Sequence, residues 1–577
     1  MAYIVKQGGR NKQVAIYLAE NVYDPKKRGA RQRRKYLGVF DESNSELLLG
    51  RNSDEPDKTT LELLEKKGIK YLGGKADPTG RKPRRSGKRN FPLATNSANG
   101  VATLRIVESG RPRALTGLAE RSGLTRSLTT AFGEKDARRL LLLALHQVCE
   151  GEPVYLAEPW LAETEITDPS GLSSSSLNRL VEKVGGDEDA RSTFLRSWIE
   201  ENGNPAALIH DTTSISTYAR DLIDAEWGYN RDKEKLPQIN LAMVVARDGG
   251  LPLWYRIVAG SVPDVRTLSL TRLLLEHHGL RDADFSLDRG YFSNDNVRDL
   301  LESEADFTIG VPFTNTQSRQ IAHENSNALK TVRRSFLHSG ERLRHIACEY
   351  QVKGGDDRAA KLPAHLYFNP TRREESLKRL ETTILQLEVK AERRTFKTGQ
   401  EAKQWIWDNA GAVAKLLTVS TRKGVSRVTR KSNALTKAAR HFGMTLILTS
   451  KPEATREQVL SEYRCRDAVE KLFDVYKNTT CNKRLRASTE GGVAGRVFLA
   501  FLSVTLHSLL ASRLGQSEIG KACSTKEALA MLRKIKMIRT SSGEEHMNEI
   551  PKKARQVLSA LGLGDLYGGT LACVSKK

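Results

Sequence analysis

The sequence predicts an α/β protein whose central sheet is interrupted by an inserted domain. Three observations carry that prediction. From Ala206 to Pro312, short apolar runs alternate with amphipathic stretches in the order β-β-β-α-β-α-β, the pattern of a sheet covered by helices. The order stops after Pro312 and resumes with the strand-like run MTLILTS at 444–450. Ahead of it lie a basic segment with two strands and a segment that is helical throughout.

Residues 13–22 and 33–40 read as two strands, joined by a very basic turn from Pro25 to Lys35. Arg33, Arg34 and Lys35 are its candidate DNA contacts, because a cationic hairpin can lie along phosphates. A short helix is expected at 59–67. Residues 73–100 carry Gly, Pro and Ser with six basic residues between Arg81 and Arg89, and read as a linker or flexible basic arm. Residues 113–202 are expected to be helical, most clearly Glu134 to Cys149, basic on one side and leucine-rich on the other. Strands follow at 206–213, 239–247 and 251–260, the last two linked through Asp248-Gly249-Gly250. A helix at 267–278, a strand at 284–288, a helix at 294–304 and a strand at 306–312 complete a pattern that fits a ribonuclease-H-like core. In the insertion, a helix at 371–391 sets Leu377, Leu380, Ile384 and Leu387 on one stripe, and no acid occurs between Asp408 and Glu453. A helix from about Thr455 to Asn478 follows the strand at 444–450. The expected organisation is therefore a basic β-rich region (1–72), a basic linker (73–100), a helical accessory region (101–205), the core in two parts (206–312 and 444–512), an insertion domain (313–443) and a helical carboxy-terminal region for dimerisation (513–577).

The 577 residues include 93 Lys and Arg against 69 Asp and Glu, a formal charge of +24. Residues 1–100 alone hold 22 basic and 11 acidic side chains. Such a field points to a polyanion, nucleic acid first and anionic membrane second. An apolar content of 39% excludes a disordered chain. The most apolar stretch, Val497 to Leu510, is interrupted by Ser503, Thr505 and His507 and reads as a buried helix rather than a membrane span. The amino terminus shows no signal-peptide pattern. Six scattered cysteines without a Cys-x-x-Cys pair indicate neither a zinc site nor a disulfide framework, which fits a reducing cytoplasm. No helix-turn-helix or zinc motif is clear.

Asp211 follows Ala207-Leu208-Ile209, near the end of the first strand, and Asp288 follows Phe285-Ser286-Leu287, near the end of a later one. In open α/β sheets, ligand and catalytic groups gather at such strand ends. A third carboxylate, Glu470, lies in the expected helix after 455. On a wheel of about 100° per residue, Tyr463, Arg466, Glu470 and Lys477 fall within about 60° of one another, opposite Val469, Leu472 and Tyr476. Three such acids make a hard oxygen site suited to Mg²⁺ or Mn²⁺. Two ions roughly 4 Å apart would activate water and stabilise a leaving oxygen. Arg466 and Lys477 would hold phosphates, and Tyr463 would hydrogen-bond or stack. A surface helix with Arg466 and Glu470 as a simple i, i+4 ion pair is the plainer reading.

The spacing of Tyr463, Arg466, Glu470 and Lys477 matches without a gap the Tyr-Arg-Glu-Lys signature around the last acid of a large branch of bacterial insertion-sequence DDE transposases. Asp288-Arg289-Gly290-Tyr291 and Asp211-Thr212-Thr213-Ser214 resemble that branch's other two acid motifs. The separations of 77 and 182 residues resemble members with a β-rich insertion before the glutamate. The likeness covers about 206–512.

That resemblance implies a DNA transposase. Asp211, Asp288 and Glu470 would bind two Mg²⁺ ions, with Mn²⁺ as substitute. Water would cut one strand at the element's terminal inverted repeats, and the freed 3′-hydroxyl would attack DNA, in cut-and-paste fashion. The implied partners are double-stranded DNA, both element ends and target, and a second copy of the chain in a synaptic homodimer. No membrane or small-molecule substrate is implied, and the location is the cytoplasm, with the nucleoid. In some relatives the attack forms a hairpin and an insertion-domain tryptophan holds a flipped base. Trp405 and Trp407 are candidates for that role, with core packing as the other reading. A metal-dependent nuclease without strand transfer and a non-catalytic DNA-binding derivative are the alternatives.

Other residues carry less. Alternation turns His210 away from Asp211 into the core. His277 and His278 end a helix, where cations suit the dipole. Asp221, Asp264 and Asp284 are alternative acids without a comparable motif, and Trp227 and Trp254 read as core residues.

Overall fold

A computed structural model describes residues 2–8, 14–24, 29–41, 46–49, 55–71, 104–166 and 173–567, apart from 204, 220, 233, 282, 354–358, 423–424, 481 and 541–543. Residues 1–103 and 104–577 form two compact units.

In the first unit an antiparallel meander joins β1 (Ala2–Gly8), β2 (Val14–Asp24), β3 (Gly29–Asp41) and β4 (Glu46–Leu49) in chain order. Helix α1 (Lys58–Glu65) is capped by Asp57, which accepts from the Thr60 amide at 2.8 Å. Ile4, Ile16, Leu37, Leu47, Leu49 and Leu64 form its small core. The pairing of β2 with β3 continues out to Asp24 and Gly29. Arg33, Arg34 and Lys35 therefore belong to β3 and not to a turn. The register sets Glu20 opposite Arg33 in the ladder. Arg34 and Lys35 are exposed, and Arg34 donates to Gln7 Oε1 at 2.9 Å. The side chain of Arg33 and the 73–100 linker lie outside the described residues.

The second unit opens with β5 (Arg105–Glu108) and the helices α2 (Gly110–Arg121), α3 (Leu124–Glu150), α4 (Ala157–Ala162), α5 (Ser174–Gly186) and α6 (Glu188–Glu201). Helix α3 breaks at Gly133, one residue before the helix read from sequence begins. The central elements are β6 (Ala207–Thr217), β7 (Gln238–Ala246), β8 (Pro252–Ala259), α7 (Leu268–His277), β9 (Asp284–Leu287), α8 (Asn294–Glu302) and β10 (Phe307–Val311). Next come α9 (Thr316–Glu324), β11 (Ser335–His338), β12 (Glu341–Val352), β13 (Ala360–Phe368), α10 (Pro370–Glu392), α11 (Gly399–Ala410), β14 (Leu417–Arg422), β15 (Val425–Arg430) and α12 (Ser432–Ala439). The chain then forms β16 (Met444–Thr449), α13 (Arg456–Arg464), α14 (Asp467–Asp474), β17 (Arg484–Leu485), α15 (Glu490–Gly515), α16 (Thr525–Leu532), β18 (Lys536–Arg539), β19 (Glu545–Met547) and α17 (Lys552–Ala560). Strands β19, β18 and β5 make a small separate sheet.

The main sheet is mixed, with the order β11-β12-β13-β16-β10-β9-β6-β7-β8 and β17 added beside β6. Strands β6, β7 and β8 are antiparallel neighbours, whereas β9 and β10 run parallel to β6. Order and direction fit the ribonuclease-H-like core expected from the sequence. Beyond β10 the sheet continues into 313–443. Strand β16 pairs with β10 on one side and β13 on the other, so β11–β13 lengthen the central sheet. Residues 370–430 instead pack α10, α11, β14 and β15 around Ile384, Leu387, Ala391, Ile406, Leu417 and Val428.

Helix α15 is the one helix among the described residues long and apolar enough to cross a membrane. It lies inside the protein, against α3, α5 and β8, with Val497 to Leu502 fully buried.

Candidate active site

Strand β6 is buried along its whole length, as expected for a strand with neighbours on both sides and helices on both faces. Asp211 sits in the middle of it and not at its end. Only its first residues pair with β9, the last pair being His210 with Leu287. Asp211 and Asp288 each directly follow that pair, where the two parallel strands part. Adjacent strands are about 4.8 Å apart, so the register itself makes these carboxylates neighbours.

Burial pushes the Asp211 carboxyl up to about 6 against the pull of Arg231, with Asp288 raising it further. Arg231 reaches Asp211 at 3.4 Å and Asp264 at 3.1 Å. The Thr212 amide donates to Asp211 Oδ1 at 2.8 Å. His210 points the other way, fully buried against Tyr291 with ring centroids 4.8 Å apart. Burial lowers its pKa to about 3, so it stays neutral.

The helix expected over 455–478 is divided. Helix α13 starts at a capping box between Thr455 and Gln458 and ends at Arg464, α14 begins at Asp467, and Val475–Thr479 is a π-turn. The polar stripe consequently splits. Tyr463 lies over Gly310 of β10, where a Cβ would stand 2.5 Å from its hydroxyl; only glycine leaves room for the phenol. From there Tyr463 donates to Asp288 Oδ1 at 3.3 Å, and burial raises its pKa to about 12. Arg466 forms an ion pair with Asp288, lies 4.4 Å above the Tyr463 ring and stands 3.9 Å from Glu470. The Glu470 side chain is 58% exposed. Lys477, in the π-turn, bonds Asp232 at 2.8 Å, the residue after the Arg231 that reaches Asp211.

Asp211, Asp288, Tyr463, Arg466 and Glu470 thus form one connected group. Trp405 packs in the small core of 370–430, 5.4 Å from Phe396. Trp407 is half exposed with Lys415 5.8 Å from its ring. Trp254 is buried, but Trp227, read as core, is 68% exposed: Gly228 beside it packs its backbone against Gly260 and leaves Trp227 on the outer side. Asp284 lies at the far end of β9, held by Arg247 at 2.7 Å and by Lys451. Asp221 is exposed. Burial lowers the pKa of His278, which works against the helix-end cation expected there. Sequence reading missed Arg231 and Asp232 and underrated Asp264, which no spacing pattern marks; their loops meet the acids only in the folded chain.

The donors are carboxylate oxygens, one of them buried and raised in pKa, and such a set fits a hard divalent cation. Among the described residues no three His, Cys, Asp or Glu side chains converge closely enough to hold a metal. Arginines instead neutralise the acids, Arg231 at Asp211 and Arg466 at Asp288.

The family description "Transposase DDE domain" matches residues 202–506, just over half of the chain. No curated protein matches. A solved piggyBac transposase synaptic complex with hairpin DNA is similar over 74% of this chain and 80% of that chain, at 10% identity and a TM-score of 0.37.

Proposed function

The chain belongs to the transposase DDE domain family, and on that premise we propose that it is a DNA transposase of the insertion-sequence type. In this reading it binds the terminal inverted repeats of its own element, cleaves DNA there and transfers the freed 3′ end. The observation that carries the proposal is the register that sets Asp211 beside Asp288, with Arg466 joining Asp288 to Glu470.

Asp211, Asp288 and Glu470 would hold Mg²⁺ or Mn²⁺, which when bound lowers the pKa of water and stabilises a leaving oxygen. The protein's own groups do the rest. Tyr463 fixes the orientation of Asp288 through its hydroxyl. Arg466, between two acids, offers a guanidinium that a phosphate can share in bidentate fashion. Arg231 keeps the buried Asp211 ionisable. Glu470, exposed on α14, joins the other acids by turning its side chain. The basic strand at Arg34 and Lys35 supplies further phosphate contacts, and two copies of the chain hold two ends together.

The test is nicking of duplexes built from the DNA flanking the gene, with Mg²⁺, by wild type and Glu470→Gln. Because Glu470 is mostly exposed, the substitution should leave stability within about 0.5 kcal/mol and remove cleavage. Cleavage by a folded E470Q variant at wild-type rate would refute the assignment. Pre-cleaved ends that yield no joined product would reduce the activity to that of a nuclease.

A further inference from the structure

The segment between β6 and β7 carries two large aromatic side chains in the open, Trp227 at 68% and Tyr229 at 88% exposure. Their backbone is pinned on every side. Glu226 and Gln238 exchange amide hydrogen bonds at 3.0 and 2.9 Å. A Cβ on Gly228 would stand 1.9 Å from the Gly260 carbonyl oxygen, so the strand side of this stretch admits glycine alone. Gln238 Nε2 donates to the Tyr229 carbonyl at 3.1 Å, and the Arg231 amide donates to Ser214 Oγ at 3.0 Å. Trp227 and Tyr229 are therefore held outward by a fixed backbone.

The location decides what such a pair meets. Tyr229 lines a cavity of about 270 Å³ together with Ser214, Arg231, Asn240 and Asp264. Arg231, two residues after Tyr229, is the group bound to Asp211 and Asp264. A phosphodiester held at the acids would leave its neighbouring base beside this cavity, with the Arg231 guanidinium on the phosphate side, the Tyr229 ring in the cavity wall and Trp227 two residues before it. Tyr218, a third exposed ring of the segment, already has the Arg484 guanidinium 5.2 Å from its ring centre.

We propose that Trp227 and Tyr229 form a stacking site for a single unpaired base of the substrate DNA, next to the bond being cut. The proposal rests on the transposase reading and adds to it a site in the β6–β7 segment, distinct from the insertion-domain tryptophans. Stacking on aromatic side chains is tolerant of base identity, and its loss weakens binding about 5- to 150-fold per base.

The test uses full-length protein in Ca²⁺ and duplexes from the DNA flanking the gene, with one unpaired 5-iodouracil at successive positions beside the cut site. Photocrosslinks should map to Trp227 or Tyr229. A W227A/Y229A variant should bind the unpaired probe about 5- to 150-fold more weakly and the fully paired duplex nearly as well as wild type, whereas W227F/Y229F should retain affinity within a few-fold. Duplex binding with crosslinks elsewhere overturns the stacking site and leaves the transposase reading standing. So does a double-alanine variant with unchanged affinity but an altered oligomeric state by sedimentation, which would assign the patch to a second copy. Failure to bind any DNA overturns both.

Discussion

Asp211 offers the sharpest test of the site. Its carboxyl is almost wholly buried and its pKa stands at about 6, against 3.8 for the free side chain. A carboxyl raised by folding favours the folded state below the unfolded pKa, and that contribution is lost as pH rises through the folded value. A shift of about two units at about 1.4 kcal/mol each makes the full loss about 3 kcal/mol, of which about 2.5 kcal/mol falls between pH 4 and pH 7. Asp211→Asn keeps an acceptor for the Thr212 amide and leaves Arg231 bonded to Asp264, so it removes the titration and little else. In chelating buffer, D211N should gain about 2.5 kcal/mol on wild type as pH goes from 4 to 7. Guanidinium unfolding followed by tryptophan fluorescence measures it, and all six tryptophans fall within 104–577. Added Mg²⁺ should then stabilise wild type and leave D211N unmoved. A stability of D211N relative to wild type that stays constant or falls as pH rises would refute the electrostatic reading.

Two further substitutions probe the surroundings. Gly310→Ala places a methyl 2.5 Å from the Tyr463 hydroxyl; it should cost about 1–3 kcal/mol and slow cleavage by moving the phenol off Asp288, read by thermal unfolding and by nicking rate together. Trp198→Ala removes a fully buried ring and leaves the Pro252 carbonyl without its 2.9 Å donor; a loss of about 3–5 kcal/mol in chemical unfolding is expected.

Where one stretch of chain decides its own environment, the sequence was readable. The run Ala207-Leu208-Ile209 is buried as its composition implies, and α10 spans almost the residues its leucine stripe marked. Asp211 and Asp288 were legible because each ends a short apolar run, and parallel pairing then brings them together. The interruption of the last helix was not legible, since Cys465 and Arg466 include neither Gly nor Pro and both keep right-handed helical backbone. Strand β12 hid its place in the main sheet because charged and apolar residues mix along it, with Leu343 and Val352 buried among exposed neighbours. Trp227 misled because composition favours burying a tryptophan, whereas a glycine contact more than thirty residues away sets its direction. Arg231 and Asp264 meet only through tertiary structure.

The shared sheet also sets where this chain can be cut and rejoined. Removal of 313–443 would strip β13 from β16 and expose Met444 to Thr449, an apolar edge ready to pair with another molecule. The chain offers a better seam. The Asn369 amide donates to the Gly443 carbonyl at 2.8 Å, so the segment between them leaves and returns at one point. A chimera that exchanges 370–442 between relatives keeps every strand beside the acids, and a short linker across that seam closes the sheet without it.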